Sequence, residues 1–446
     1  MVYAPAPSRA EREARGKAAR ARLPLAEIGR WRPHRNALDV VLAQNAIRVP
    51  ELLPLRHGRM VGSPWTYYRG AAAVMAADLT SSPNSGLDVQ LCGDAHVLNF
   101  GLWATPERNL SFDLRDFDET LPGPFEWDVM RFVASLVVVA RENGLSPSAA
   151  DGAVASALDA YRSQMRRYAS APQMEIWYDS IYVDELLGYF GENRRDRVSK
   201  HIEKKRRRRT SAGAFEKLTD IVDDGVRIIE EPPRLTHFDD PARLETVRKV
   251  YETYTETLQD DRRHCLARFT YVDAARQVVG VGSVGMRVHL VLLDGGGGDD
   301  PLFLQVKQAG PSVYETHYRA SDYPNHGARV VNGKRLIQSA TDIFVGWTSM
   351  DGMDFYVRQF RDMKVVPDAA LIAPVLGEFA TACGAVLARA HARTGDPVAI
   401  ASYIGKGRRF DDVMAGFARA YADQTERDHA ELVTAIADGT VPAEDG

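Results

Sequence analysis

Apolar residues recur at helical spacing in several long stretches of the chain. The Ala-rich run Gly70 to Leu79 (GAAAVMAADL), the Phe-Val-Leu-Val face from Trp127 to Asn143, and Asn325 to Thr341 each predict a helix. Pro147 to Ala169 predicts another, opened by Ser146-Pro147 as cap and first turn, and a long Ala/Leu pattern from Ala369 to Ala392 predicts the last. Leu87 to Leu91 (LDVQL) alternates apolar and polar residues, as a short strand does. The second half changes texture. From Arg276 the pattern reads strand, Gly-rich turn, strand over Val288 to Leu293, a hairpin tip at Gly295 to Gly298, and strand over Leu302 to Lys307. Phe355 to Phe360 is a further strand, so an antiparallel sheet is expected here. Glu231-Pro-Pro-Arg and then Asp239-Asp240-Pro241 interrupt the helical pattern between the two halves and mark the best internal boundary. No internal repeat is visible. The longest apolar stretch, Phe132 to Ala140, lies between Arg131 and Arg141 and falls far short of the roughly 20 residues that span a bilayer.

Composition narrows the function classes. The 446 residues are 45% hydrophobic and 26% charged, enough for a large core in two or more lobes. With 56 basic and 60 acidic residues the formal charge is −4, which excludes nucleic acid or a membrane as an obligatory partner. Cys92, Cys265 and Cys383 are far apart and form no C-x-x-C pair, so neither a disulfide framework nor a zinc knuckle is expected, and a reducing cytoplasm fits. Nine bases against three glutamates up to Arg35 predict an exposed basic arm with no secretory h-region. Lys204 to Arg209, six bases in a row, reads as a solvated helix end or a dock for an acidic segment.

Candidate chemistry begins directly after the LDVQL strand. The string Leu-Cys-Gly-Asp94-Ala-His96-Val-Leu-Asn99 is followed by Phe112-Asp113-Leu-Arg-Asp116-Phe-Asp118-Glu119. Phosphoryl transfer needs this set: one carboxylate to accept the hydroxyl proton, and an amide oxygen with a second carboxylate to hold Mg²⁺ against the phosphates. The stretch resembles the catalytic region of the protein-kinase-like superfamily, in its aminoglycoside phosphotransferase and choline kinase branch, whose loop reads H-G-D-x-H-x-x-N. The resemblance implies Asp94 as catalytic base, Asn99 and Asp116 as metal ligands, and His96, Asp113 and Asp118 as supporting residues. It also implies that Asp128, in Trp127-Asp128, braces the catalytic loop from the head of its helix. Cys92 stands where that branch has its first histidine.

A second constellation follows almost two hundred residues later: Gly280-Val-Gly282-Ser283-Val-Gly285, two strands, and Lys307. A G-x-G-x-x-G before a helix is usually a dinucleotide site, but a strand follows here, so the glycines sit in a hairpin turn. The loop resembles the kinase phosphate cover, and Lys307 resembles the lysine that pairs with nucleotide phosphates. The expected glutamate partner on the next helix is absent: Asn332 stands in its place, with Glu315 as a possible substitute. The order is permuted, because the glycine loop and lysine follow the catalytic loop, and one shared cleft is expected nonetheless. Together the segments RHGRM, SPWTYYRG, LCGDAHVLNFG, FDLRDFDETLPGPFEWDVMR, VGVGSVGMR, LFLQVKQA, GWTSMDGMDFYVRQFRDMK, LARAHARTGD and YADQTERDH resemble the bacterial domain-of-unknown-function family 2252, from about Val49 to about Ala430.

The expected fold is therefore α+β, a permuted protein-kinase-like two-lobe arrangement. It comprises a basic N-terminal arm (1–45), a larger, mainly helical lobe with the catalytic and metal loop (46–245), a smaller antiparallel-sheet lobe with the glycine loop and Lys307 (246–365), and a helical segment completing the larger lobe (366–446). The expected activity is ATP- and Mg²⁺-dependent phosphoryl transfer, or nucleotidyl transfer, to an unidentified small-molecule or protein acceptor. Adenine is expected near the strand end Tyr356 to Phe360. The rivals are a non-catalytic nucleotide-binding pseudokinase and, from Gly93-Asp94-Ala95-His96, a metallophosphoesterase. His391 ends its helix as such a histidine does in small-molecule kinases, yet also reads as a plain polar helix end. Arg56, Arg59 and Arg69 beside Trp65, Tyr67 and Tyr68 could bind an anion or simply pack.

Overall fold

The Phe125–Glu142 helix has apolar residues on all sides from Phe132 to Ala140, so it cannot lie on a surface and becomes the centre of the larger lobe. The computed structural model describes residues 7–444 apart from Arg32, His34, Arg209, Asp223, Asp224, Asp239, Asp240, Gly298 and Asp299, and every residue from Phe125 to Ala140 is buried in it. Around this helix pack Pro147–Tyr168, Leu376–Thr394 and Arg409–Ala437. Small residues set the spacing: a Cβ on Gly384 would lie 2.3 Å from the Ala157 carbonyl oxygen.

Short strands deliver the chain to one end of this bundle. β1 (Asp88–Leu91) leads into a loop, β2 (Phe100–Ala104) and β3 (Leu110–Leu114) form a hairpin, and β4 (Leu121–Pro124) returns antiparallel to β1 before entering the central helix. The two-residue β5 (Ile181–Tyr182) edges β3.

The smaller lobe is built on six antiparallel strands. After the separate hairpin of β6 (Thr219–Val222) and β7 (Gly225–Ile228) come β8 (Leu235–Thr236), β9 (Thr270–Gln277), β10 (Val288–Asp294), β11 (Pro301–Ala309), β12 (Gly346–Met350) and β13 (Met353–Gln359). Their order across the sheet is β12-β13-β11-β10-β9-β8, and the His326–Ile337 helix joins β11 to β12. Both faces are covered. Val291 and Leu293 pack with Val247, Val250 and Tyr254, whereas Leu290 and Leu292 pack with Ala214 and Leu218. That is why β10 reads as a continuous apolar run rather than an alternating one. Helix makes up 55% and strand 16% of the chain, so it is an α+β protein.

The long periodic segments lie where expected, and three expectations change. First, the N-terminal stretch is no arm from Arg9 on. The Arg9–Arg22 helix packs on Pro397–Ile404, with Gly16 so close that a Cβ would sit 2.1 Å from the Ala399 oxygen, and Arg12 Nη2 lies 2.8 Å from Asp396 Oδ1. Its buried residues are Gly16 and Ala19, too small to raise an apolar signal. Second, the smaller lobe begins near Ser211 rather than at 246, because Ser211–Leu218 and β6 to β8 belong to its sheet and core. The Glu231-Pro-Pro break is internal to it, and Asp239-Asp240 lies outside the described residues, as do Gly298 of the hairpin tip, Arg209 of the basic run and residues 1–6. Third, the helix over Ala369 to Ala392 is interrupted by a 3₁₀ turn at Ala373–Val375, where Pro374 lacks the backbone donor. Ala369–Thr394 is long and apolar enough by composition to cross a membrane, although the longest apolar stretch, Phe132 to Ala140, gave no such expectation. Its Leu376–Thr394 part is the core helix facing Pro147–Tyr168, and Arg389 within it is paired with Asp113.

Candidate active-site cleft

The loop after β1 is held from behind by the central helix. Asp128, in its first turn, accepts hydrogen bonds from Cys92 N (2.7 Å) and Gly93 N (3.0 Å), and Ser135 Oγ accepts one from Val97 N at 2.9 Å. His391, fully buried near the end of Leu376–Thr394, places Nε2 3.3 Å from Asp128 Oδ2 and Nδ1 2.8 Å from Tyr161 Oη. The Leu376–Thr394 helix thus supports the loop through its histidine and the Asp128 carboxylate. Gly93 has φ +84°, and a Cβ there would lie 2.2 Å from the Glu119 oxygen, so the position accepts only glycine. Cys92 donates its thiol to Asp116 O at 3.1 Å, tying the Asp94 loop to the Asp116 loop.

Asn99 Nδ2 donates to Asp94 O at 2.6 Å, which closes the five-residue spacing into one turn and leaves Oδ1 of Asn99 available. The β2–β3 hairpin then brings the chain back: Arg115 N donates to Asn99 O at 3.0 Å, and Asp116 follows beside it. The Asp94 carboxylate accepts from Arg131 Nε at 2.8 Å, and its other oxygen is 3.9 Å from His96 Nε2.

Lys307 reaches this loop from the middle of β11. Its ammonium pairs with Asp118, whose other oxygen accepts from Tyr356 Oη at 2.7 Å. Lys307 and Tyr356 are directly opposite across β11 and β13, as are Gln305 and Arg358, so all four project from one face. The glycine loop between β9 and β10 is pinned to the helical segment before β1. Arg59 Nη1 donates to Gly280 O (2.9 Å), Val49 N to Gly285 O (2.7 Å), and Arg48 to Val284 O.

These parts line a cleft of about 220 Å³. Asp94, His96, Asn99, Asp116 and Asp118 line it from the larger lobe, and Gly280, Gly282, Ser283 and Lys307 from the smaller. Gly285 shapes the loop with φ +88° but does not line the cleft. Asp128 acts behind the loop, as expected. Asp113 does not reach the cleft: it is fully buried, paired with Arg389 and accepting from Ser339 N at 2.9 Å, so its support is to the hairpin. Neither expected partner of Lys307 meets it. Asn332 Nδ2 donates within its own helix to Ala328 O at 2.9 Å, and Glu315 accepts from Ser312 N (2.8 Å) and Ser321 N (3.0 Å). The His326–Ile337 helix instead sends Arg329 to the carbonyls of Thr120 (2.6 Å) and Asp118 (2.8 Å).

Burial and charge set distinct protonation states. Burial pushes the Asp94 carboxyl up against the opposing pull of Arg131. For Asp116 burial also opposes ionisation, but Lys307, Arg358, Arg115 and Lys364 outweigh it and hold the carboxyl below the ordinary range. Burial would discharge Lys307, yet Asp118, Tyr356 and Asp116 keep it raised and charged. Burial, with Arg69 and Arg131 nearby, lowers His96 well below its usual value, so it is neutral. Burial raises Glu119 to about 7. Arg48, Arg69, Arg115, Glu119 and Arg358 also line the cleft. Arg69 is the one of the three weighed arginines that does so, and the others were not foreseen. Arg131 carried a signal, a charge inside an apolar helical run, and Arg358 another, its alternation with Tyr356 across from Lys307.

A protein-family model described as "Uncharacterized protein conserved in bacteria (DUF2252)" matches residues 48–435. No curated protein and no solved structure matches the chain.

Proposed function

The chain belongs to this uncharacterized bacterial family, DUF2252, and we propose that it is an ATP- and Mg²⁺-dependent phosphotransferase on a permuted protein-kinase-like fold. One observation carries the reading: Lys307 meets Asp118, 189 residues away in sequence, in the same cleft as Asp94, Asn99 and Asp116. Further support comes from the small lobe, where a glycine hairpin is followed by a lysine on the next strand and then a helix, the kinase sequence of parts.

The donor set suits Mg²⁺. Asp116 is ionised, and among the described residues its carboxylate has no hydrogen-bond or ion-pair partner. Asn99 lines the same cleft, with its Nδ2 already engaged by Asp94 O. A Mg²⁺ ion asks for one or two such oxygens and takes the rest from phosphates and water. Bound there, it would neutralise charge developing on the transferred group. Among the described residues no three His, Cys, Asp or Glu side chains cluster as a metal set, which counts against the two-metal phosphoesterase.

Asp94 accepts the acceptor's hydroxyl proton as the acceptor oxygen bonds to the γ-phosphorus and the bond to the bridging oxygen breaks. Its raised pKa makes it a better base than an exposed aspartate. Lys307 neutralises the phosphates, and backbone N–H groups of Gly280 to Ser283 cover them. A non-catalytic nucleotide-binding protein is the second reading, favoured by the ion pair that Arg131 already makes with Asp94.

Incubating cell extracts with γ-labelled and α-labelled ATP and the protein tests both. Transfer of the γ label alone is expected; α-label transfer would make it a nucleotidyl transferase, and Mg·ATP binding without turnover a pseudokinase. A melting temperature unmoved by millimolar Mg·ATP would remove the nucleotide altogether.

A further inference from the structure

Arg115 and Arg358 line both the cleft and an adjoining annex of about 50 Å³. It lies between the end of β2, the His326–Ile337 helix and the segment leaving β13. Five basic side chains face it, Arg115, Lys334, Arg358, Arg361 and Lys364, against two acids, Asp342 and Asp362.

Both acids are already engaged. Asp362 takes the two Nη groups of Arg108 at 2.7 and 2.8 Å, and Asp342 accepts from Phe344 N at 2.8 Å and lies 3.6 Å from Lys334 Nζ. Arg358 is aimed by Gln305 Oε1, at 3.0 Å from Nε and 2.8 Å from Nη2, a neutral acceptor that orients the guanidinium without cancelling its charge. Arg115 is aimed likewise, its Nε donating to Leu98 O at 2.9 Å. Lys364 has neither a hydrogen bond nor an ion pair among the described residues. Burial lowers its pKa, and Arg358, Arg115 and Lys334 lower it further, so the cluster repels itself. Asp116, the carboxylate that offsets Lys364, faces the main cleft.

Like charges fixed at one half-enclosed site cost stability unless a counter-charge completes them. The strand end at Tyr356 to Phe360, expected to meet adenine, offers Arg358 and Gln359 to this space instead of an apolar slot. We propose that the annex is an anion subsite for a phosphate-bearing ligand, held by Arg115, Arg358, Arg361 and Lys364. Three guanidinium forks and an ammonium lining one volume match many oxygens, where a single carboxylate would satisfy only one fork. The site would bind its anion whether or not Asp94 transfers a phosphoryl group.

The probe is inorganic tripolyphosphate, titrated calorimetrically into the full chain at fixed ionic strength. Lys364→Met is expected to weaken binding about tenfold or more, and Arg361→Gln to weaken it as well. Without the anion, Lys364→Met should melt no lower than the parent, since it removes a repelling charge; a merely structural lysine would lower it. Affinity unchanged in both variants, or binding no tighter than that of sulfate, would overturn the proposal. Titration with Mg·ATP separates the two readings. If Mg·ATP does not bind while tripolyphosphate binds through Lys364, the transferase reading falls and the annex stands; if Mg·ATP binds and Lys364→Met leaves tripolyphosphate untouched, the reverse holds.

Discussion

Asp94 and Asp116 respond to burial in opposite ways, and this separates their expected roles. Asp94→Asn should abolish transfer with little change in nucleotide affinity, because a base acts on the acceptor hydroxyl rather than on bound ATP. Asp116→Ala should lose Mg²⁺-dependent nucleotide binding too; equal effects of the two on ATP affinity, read by calorimetry, would refute the assignment. Glu119 carries a pH signature. Burial raises its carboxyl from 4.5 to about 7, so over that window the folded chain holds a proton the unfolded chain has lost, and stability falls as pH rises from about 4.5 to 7. Buried Glu126, also raised to about 7, adds to the same slope. Glu119→Gln should therefore melt roughly a few degrees higher than the parent at pH 8 and match it at pH 4.5, as calorimetric scans at both pH values would show. Asp94, Asn99, Asp116 and Lys307 were legible because their spacing is local. Arg48, Glu119 and the Asp118 partner of Lys307 were not, because what makes them matter arrives from more than a hundred residues away.

At the scale of elements, the support of the Asp94 loop comes from helices rather than from the loop. Asp128→Ala leaves the N–H groups of Cys92 and Gly93 without their acceptor in a buried place, at about 1–3 kcal/mol each. It should lower the melting temperature and remove transfer together, whereas Asp94→Asn removes transfer alone; a thermally unaffected Asp128→Ala would show that the brace is not structural. The long helices and the β10–β11 strands were readable from periodicity, since each presents a sustained apolar pattern. The β2–β3 hairpin was not, because its buried strands carry Ser111 and Asp113, whose burial depends on Ser339 and Arg389 elsewhere in the chain. The Arg9–Arg22 helix escaped because charge dominates its sequence while Gly16 and Ala19 make its contact.

As a whole, the larger lobe is assembled from both ends of the chain around an inserted smaller lobe. Deleting residues 1–23 should accordingly lower the melting temperature by several degrees, since it removes Arg9–Arg22 from Pro397–Ile404 and the Leu23 carbonyl that Tyr403 Oη donates to at 3.1 Å. An unchanged melting curve would restore the picture of a solvated arm. The same assembly has a consequence for biosynthesis. Pro147–Tyr168 leaves the ribosome 207 residues (375 − 168) ahead of Leu376–Thr394, the helix it packs against. At ordinary translation rates that is a wait of roughly 10 to 40 s. During it the β8–β13 sheet can finish folding, while Asp128 still lacks His391 and Asp113 lacks Arg389. A nascent chain stalled between Lys307 and Leu376 would carry every candidate catalytic side chain from Asp94 to Lys307 and still lack the His391 contact behind Asp128 and the Arg389 partner of Asp113, so completion of the candidate site is deferred until the last helices are translated.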